Sequence, residues 1–353
     1  MKLDATIAGI LDKARGGMEI GPQEALDLMR VPLQSPEMYA LCSVANELSR
    51  DRFANQGEVY AQIGLDNAPC PGDCEFCAFG ESHAVADQTL EYSIEDVVQA
   101  ARTAEAQGAN GVYLMTTARY RFDHFLEVGR AVRAAVSAQM PLVANIGDFN
   151  DLRAQELVEA GFSAVYHAVR LNEGKGTRWT VAQRVRSAQA ARKAGLALHF
   201  CIEPVGPEHS VEEQVALMFL GKRLGAAFSG AMRRVNFSGS PMTRYGEVSW
   251  WYLARTVAVS RLVMGDAALG HCTHEPNLPA LLAGGNLLWA EVGTNPRDEM
   301  AATEANRGWS VERCQAVLRD ADWEVRTGPA LSAGTEARAL PWEALPLDAE
   351  MTV

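Results

Sequence analysis

From residue 57 onward, short apolar runs alternate with amphipathic helical stretches almost to the end of the 353-residue chain. VYAQIGL, GVYLMTT, PLVANIG, FSAVYHAVRL, LALHFCIEPVG and AAFSGAMRRVNF read as successive strands. Between them IEDVVQAARTAEAQG, FDHFLEVGRAVRAAVSA, DLRAQELVEAG, TVAQRVRSAQAARKAG and SVEEQVALMFLGKRLG carry apolar residues at helical spacing. SWWYLARTVAVSRLVMG, AALGHC, LPALLAGG and NLLWAEV close the series. Strands that alternate with helices predict a parallel sheet with crossover helices. About eight such units predict an α/β fold, a (β/α)8 TIM-type barrel. Three helical patterns precede it, at 3–15, 22–30 and 36–50, the last capped by Ser35 with Pro36 at its first position. The expected organisation is N-terminal helices over 1–56, the barrel over 57–325 and a C-terminal surface extension over 326–353.

In such barrels chemistry gathers where strands end and loops begin. The loop after the first strand reads NAPCPGDCEFCAFG, which places Cys70, Cys74 and Cys77 in a C-x3-C-x2-C triplet. Three cysteines cannot all pair with one another. A structural zinc site normally takes a fourth protein ligand, often from a second knuckle, and no second C-x2-C is present. Thiolates are the usual holders of iron–sulfur clusters. Three of them on a four-iron cube leave one corner open to a ligand, which points to a catalyst rather than an electron carrier. Gly72 and Gly80 are expected to permit tight turns here.

The spacing, with aromatic Phe76 before the third cysteine, resembles the cluster loop of radical S-adenosylmethionine (SAM) enzymes, and APCPGDCEFC resembles the biotin synthase group within them. That resemblance implies a [4Fe–4S] cluster whose open iron chelates SAM, and a 5′-deoxyadenosyl radical that abstracts hydrogen from a substrate C–H bond. It also implies that Phe76 lies near the SAM adenine. The Gly-Gly-Glu-like segment of many relatives is missing after strand 2, where Thr116 and Thr117 stand instead. After strand 4, Arg170, Asn172 and Glu173 occupy positions that in relatives hold the ribose and amino group. Thr180 and Arg184 resemble a pattern that brings an arginine to the SAM carboxylate, a task suited to a bidentate guanidinium. Val205, in VGPEHS, would cover the base. Asp148 and Asn150 read as helix caps or substrate contacts.

The resemblance further raises a second, sulfur-donating cluster. Two of the relatives' ligand positions fall near Tyr113 and Ala144, neither a cysteine, while a third falls at or beside Cys201. The usual arginine segment is replaced by His271-Cys272-Thr273-His274-Glu275. Cys201 and Cys272 are the candidate ligands of this cluster. His271, Cys272 and His274 are the catalytic candidates, with substrate binding or proton transfer as the other role of the histidines. Cys42 and Cys314 default to packing.

Net charge of −12 argues against a nucleic-acid partner. No apolar run is long enough for a membrane span, and the N-terminus lacks the form of a secretory signal. Seven cysteines, an odd number, suit a reducing cytoplasm. The expected function is radical C–H activation for sulfur insertion, in the manner of biotin or lipoyl synthases. The alternative is a radical SAM lyase, mutase or methylating enzyme in cofactor or amino-acid biosynthesis. A non-catalytic cluster scaffold is the third class. Expected partners are a small-molecule or lipoyl-domain-attached substrate and a low-potential donor such as flavodoxin or ferredoxin. A homodimer is compatible with the sequence.

Overall fold

Eight parallel strands close a barrel in a computed structural model that describes residues 3–84, 89–237, 239–274, 277–293 and 309–347. Around it run β1 (Gln56–Gly64), β2 (Gly111–Met115), β3 (Leu142–Asn145), β4 (Ala164–Tyr166) and β5 (Ala197–His199). A short β6 (Ile202–Val205) continues from β5 after a break and pairs with the next barrel strand, β7 (Ala226–Arg233). β8 (His271–Thr273) and β9 (Leu287–Gly293) follow, and β9 pairs back onto β1 from Glu58↔Leu287 to Gly64↔Gly293. The strands are buried on both faces, which explains why they read as continuous apolar runs. The fold is the TIM-type barrel expected from the alternation.

The barrel helices are α4 (Ile94–Ala106), α5 (Phe122–Ala135), α6 (Asp151–Glu159), α7 (Val181–Lys193), α8 (Val211–Arg223) and α9 (Trp250–Met264), with short α10 (Leu278–Leu281) and α11 (Val311–Asp320) after them. Their starts are local chemistry. Ser93, Asn150, Thr180, Ser210, Ser249 and Ser310 each accept a hydrogen bond from the backbone three residues on, satisfying an otherwise orphaned N–H. Of the three leading helices, α1 (Ala5–Arg15), α2 (Pro22–Met29) and α3 (Pro36–Arg52), α2 packs against α8 and α9, α3 against α9, and α1 against α3 and α2. Buried Arg261 of α9 ties α3 on by donating to Ser49 Oγ (2.9 Å) and the Leu48 carbonyl (2.9 Å). No helix among the described residues is long and apolar enough to cross a membrane.

The tail departs from the expected surface extension. β10 (Glu324–Val325) pairs with β1, and the chain then runs beneath the barrel to α12 (Thr335–Ala339). Ser332 is fully buried there, its Oγ 2.9 Å from Tyr60 Oη. Its carbonyl accepts from His199 Nε2 (3.0 Å), while His199 Nδ1 accepts from the Tyr113 hydroxyl (2.5 Å). Burial pushes His199 down to about 3, so the ring stays neutral and each nitrogen has one role. Tyr60, Tyr113, His199, Phe228 and Trp289 pack as an aromatic plug inside the barrel. The lower end is therefore filled, and access is from the end where strands run into loops.

Candidate active site

The loop after β1 is coiled by its own backbone. Cys70 N donates to the Phe79 carbonyl (2.7 Å), Asp73 N to that of Cys70, Cys77 N to that of Cys74, and Gly80 N to that of Cys77. Asp66 anchors its start, accepting from Thr117 N (2.8 Å) and Thr117 Oγ1 (2.6 Å) at the end of β2. Burial raises Asp66, and these two bonds oppose the rise.

Gly72 lies inside the Cys70–Asp73 turn and Gly80 closes the Cys77–Gly80 turn, as expected, but neither has a positive φ, so the backbone angles alone do not demand glycine. Each makes room instead. A Cβ on Gly72 would stand 2.2 Å from Trp179 Nε1, and one on Gly80 would stand 2.5 Å from the His83 ring. Arg178 N donates to the Gly72 carbonyl (2.9 Å) and Glu75 N to that of Gly176 (3.0 Å), so the segment after β4 grips the loop.

The result is a cavity of about 140 Å³ lined by all three cysteines, with Phe76, Thr116, Arg170 and Arg184 also on its wall. The cysteines are free thiols. Among the described residues, no three His, Cys, Asp or Glu side chains gather closely enough for a single metal ion. The three thiols line one cavity, and thiolates are the usual holders of iron–sulfur clusters. Buried Thr116 Oγ1 has no hydrogen-bond partner among the described residues, which leaves a polar atom for a ligand to satisfy. The residues present thus fit a [4Fe–4S] cluster with a bound polar cofactor. Burial, and the proximity of Cys77, push the Cys74 thiol well up; a metal reverses this by holding the thiolate.

The opposite wall is ionic. Arg184 Nη1 meets Asp148 Oδ1 (3.2 Å), which also accepts from His167 Nε2 (2.9 Å) and Ser187 Oγ (3.3 Å). Burial pushes the Asp148 carboxyl up, but His167, Arg184 and Ser187 outweigh it and hold it near about 2. Asp148 is therefore no helix cap; Asn150 caps α6. Arg170 pairs with Glu203 (2.6 Å), which also accepts from Tyr166 Oη (2.5 Å).

Three expected cofactor contacts are not brought to this wall. The Glu173 carboxylate is fully buried, held by Arg170 N, Thr177 Oγ1 and Arg184. Asn172 forms a turn at φ 65° and donates its N–H to Glu213. Val205 is fully buried and lines neither cavity described here.

A second cavity of about 220 Å³ continues inward, sharing Cys77, Phe79, Thr116, Thr117, Asn145, Tyr166 and Arg170 with the first. It reaches His274, whose Nε2 lies 3.0 Å from Glu291 Oε1 and 3.2 Å from Gln62 Oε1.

The His271-to-Glu275 pentad does not act as a unit, because successive strand residues face opposite sides. His271 points outward, its Nε2 donating to the Val257 carbonyl of α9 (2.7 Å), and burial lowers it to about 3. Cys272 points inward and meets Cys201, sulfur to sulfur at 2.7 Å, with both residues wholly buried. Neither lines either cavity, and no third ligand joins them among the described residues. Glu275 lies outside the described residues. Cys42 and Cys314 are buried, as packing residues are.

The sequence reading missed Asp66, Trp179, His83, Gln62 and Glu291. Gln62 and Glu291 face the mouth by strand alternation and were accessible to that argument; the others depend on contacts between loops.

No protein-family profile matches the chain. It is 28% identical over 271 residues to a biotin synthase of Kocuria rhizophila, covering 73% of this chain and 56% of that protein, so the match spans little more than half of that relative. It is 25% identical over 335 residues to a biotin synthase of Acaryochloris marina, covering 90% and 92% respectively. The fold is similar to that of methylornithine synthase (PylB), with TM-score 0.75 and 15% identity over 90% of this chain and 97% of that one. It is equally similar to the FeFe-hydrogenase maturase HydG from Carboxydothermus hydrogenoformans, with TM-score 0.75 and 14% identity over 94% and 81%.

Proposed function

We propose, for a chain that belongs to the biotin synthase-like group of radical SAM enzymes, that it activates a C–H bond of a small, polar substrate held in the inner cavity. One observation carries the reading: the cavity lined by three cysteines shares a wall with a closed-bottomed chamber inside the barrel. A [4Fe–4S] cluster with SAM, when bound, supplies a 5′-deoxyadenosyl radical that removes a hydrogen atom from carbon. The rest is the work of the chain. Cys70, Cys74 and Cys77 hold the cluster. Arg184, poised by Asp148, offers a guanidinium to a carboxylate, and Thr116 offers its unpartnered hydroxyl. Phe76 and Trp179 wall the cavity against water. Arg170 and Glu203 can orient polar groups of the substrate, and His274, beside Glu291, can hold or release a proton at Nε2. A low-potential donor of the flavodoxin or ferredoxin class would supply the electron.

Two product classes divide here. Sulfur insertion is supported by the names of the curated relatives. The geometry favours the sulfur-free class, a lyase, mutase or methylating reaction, because Cys201 and Cys272 are sealed from both cavities. Anaerobic reconstitution separates them. About four irons per chain, unchanged in C201A and C272A, with deoxyadenosine formed and no sulfur in the product, is the expected result. About eight irons, lost on C272A, would instead support sulfur insertion. Absence of SAM cleavage by reduced, iron-loaded protein would defeat both.

A further inference from the structure

His83 lies just beyond the third cysteine, and the proposed reaction makes no use of it. Its Nε2 is 3.2 Å from the Cys74 carbonyl oxygen and 3.0 Å from that of Cys77. Carbonyl oxygens only accept, so Nε2 carries the proton and shares it between them. The ring is held on three sides. It stacks on Phe237 of the loop after β7, with centroids 5.8 Å apart and planes at 17°. Its Nδ1 faces Asp73 Oδ1 at 3.9 Å, and its side chain is only 11% exposed. Gly80 leaves the space that it fills, since a Cβ there would stand 2.5 Å from the ring.

We propose that His83 is a positioning residue for the cluster: one N–H pins the peptide planes of Cys74 and Cys77, and so fixes where two of the three thiolates point. The inference rests on reading Cys70, Cys74 and Cys77 as cluster ligands. Its logic is that of outer groups around a metal. They touch no iron, yet they orient the residues that do, and their loss typically weakens metal binding about 10- to 100-fold. The stack on Phe237 extends the effect, because it joins the loop after β1 to the loop after β7 across the barrel mouth.

Two substitutions separate the N–H from the ring. His83→Phe keeps a ring to stack on Phe237 and removes the donor. His83→Gln removes the ring and keeps an N–H donor. Full-length protein is reconstituted anaerobically, and loss of the cluster's visible absorption is timed after addition of an iron chelator. Cluster-free protein is tested in parallel for the rate at which an alkylating agent modifies Cys74 and Cys77. H83F is expected to lose iron roughly 10- to 100-fold faster than the parent and to alkylate faster, with its circular dichroism unchanged. H83Q is expected to recover most of the difference. An H83F protein that keeps its cluster and its alkylation rates overturns the inference. So does an H83Q protein that falls as far as H83F, since packing alone would then explain the effect. If the unsubstituted protein takes up no cluster, the reading of the three cysteines fails first, and the iron content of that control distinguishes the two failures.

Discussion

Replacing Gly72 with alanine tests the grip on the cluster loop directly. The backbone at Gly72 is open to any residue, because its φ is not positive. The penalty therefore comes from contact alone. The new Cβ would stand 2.2, 2.9 and 3.1 Å from three atoms of the Trp179 indole. Ordinary contact begins at 3.4 Å, so the ring must withdraw by about 1.2 Å. It has little room to do so. Arg184 lies over its face at 5.5 Å, and the Arg178 N–H just before it is bonded to the Gly72 carbonyl. Overpacking of this kind typically costs about 1–3 kcal/mol. We expect G72A to destabilise the cluster-free protein by about 2 kcal/mol and to impair cluster loading. W179L should cost stability on its own but leave space for the methyl group. In a double-mutant cycle the pair should be more stable than the sum of the single effects by about 1–2 kcal/mol. Urea denaturation of the four proteins reads stability, and iron per chain reads loading. Purely additive effects, or a G72A protein that matches the parent in both, would refute the claim that this glycine exists to admit the indole.

Asp148 gives a pH signature. Its carboxyl is held near about 2 against an ordinary 3.8, which corresponds to roughly 2 kcal/mol at about 1.4 kcal/mol per pH unit. A depressed carboxyl stabilises fully above the unfolded value of 3.8 and loses that stabilisation as pH falls toward 2. D148N should therefore lie about 2 kcal/mol below the parent at pH 7, and the gap should close between pH 4 and pH 2; a gap that widens on acidification contradicts the assignment. Arg234, with a side chain 1% exposed, grips Glu208 through Nε (2.9 Å) and Nη2 (3.0 Å). R234M should cost about 3 kcal/mol by leaving the carboxylate with only His209 Nε2, at 3.3 Å, as a charged partner. The double variant R234M/E208L should recover part of that loss in the same denaturation assay, and a double variant as unstable as the sum of its parts would count against the pair.

The cysteine triplet was legible as a site because its spacing is local and its chemistry specific. The meaning of HCTHE was not. Its residues are neighbours in sequence, but the pleat sends His271 to α9, Cys272 to Cys201 and His274 to Glu291. Asp148 looked like a cap because it stands at a helix approach. The partners that define it, His167, Arg184 and Ser187, are 19 to 39 residues away.

Local periodicity and capping chemistry were enough to specify the strands, the helices and hence the barrel, since each depends on residues within a turn or two of one another. What needed the folded chain was which side chains meet across loops: Trp179 at Gly72, His83 beneath the cluster loop, the tail sealing the barrel floor. Those contacts depend on strand register and on segments brought together from distant parts of the chain, and no short window of residues encodes them.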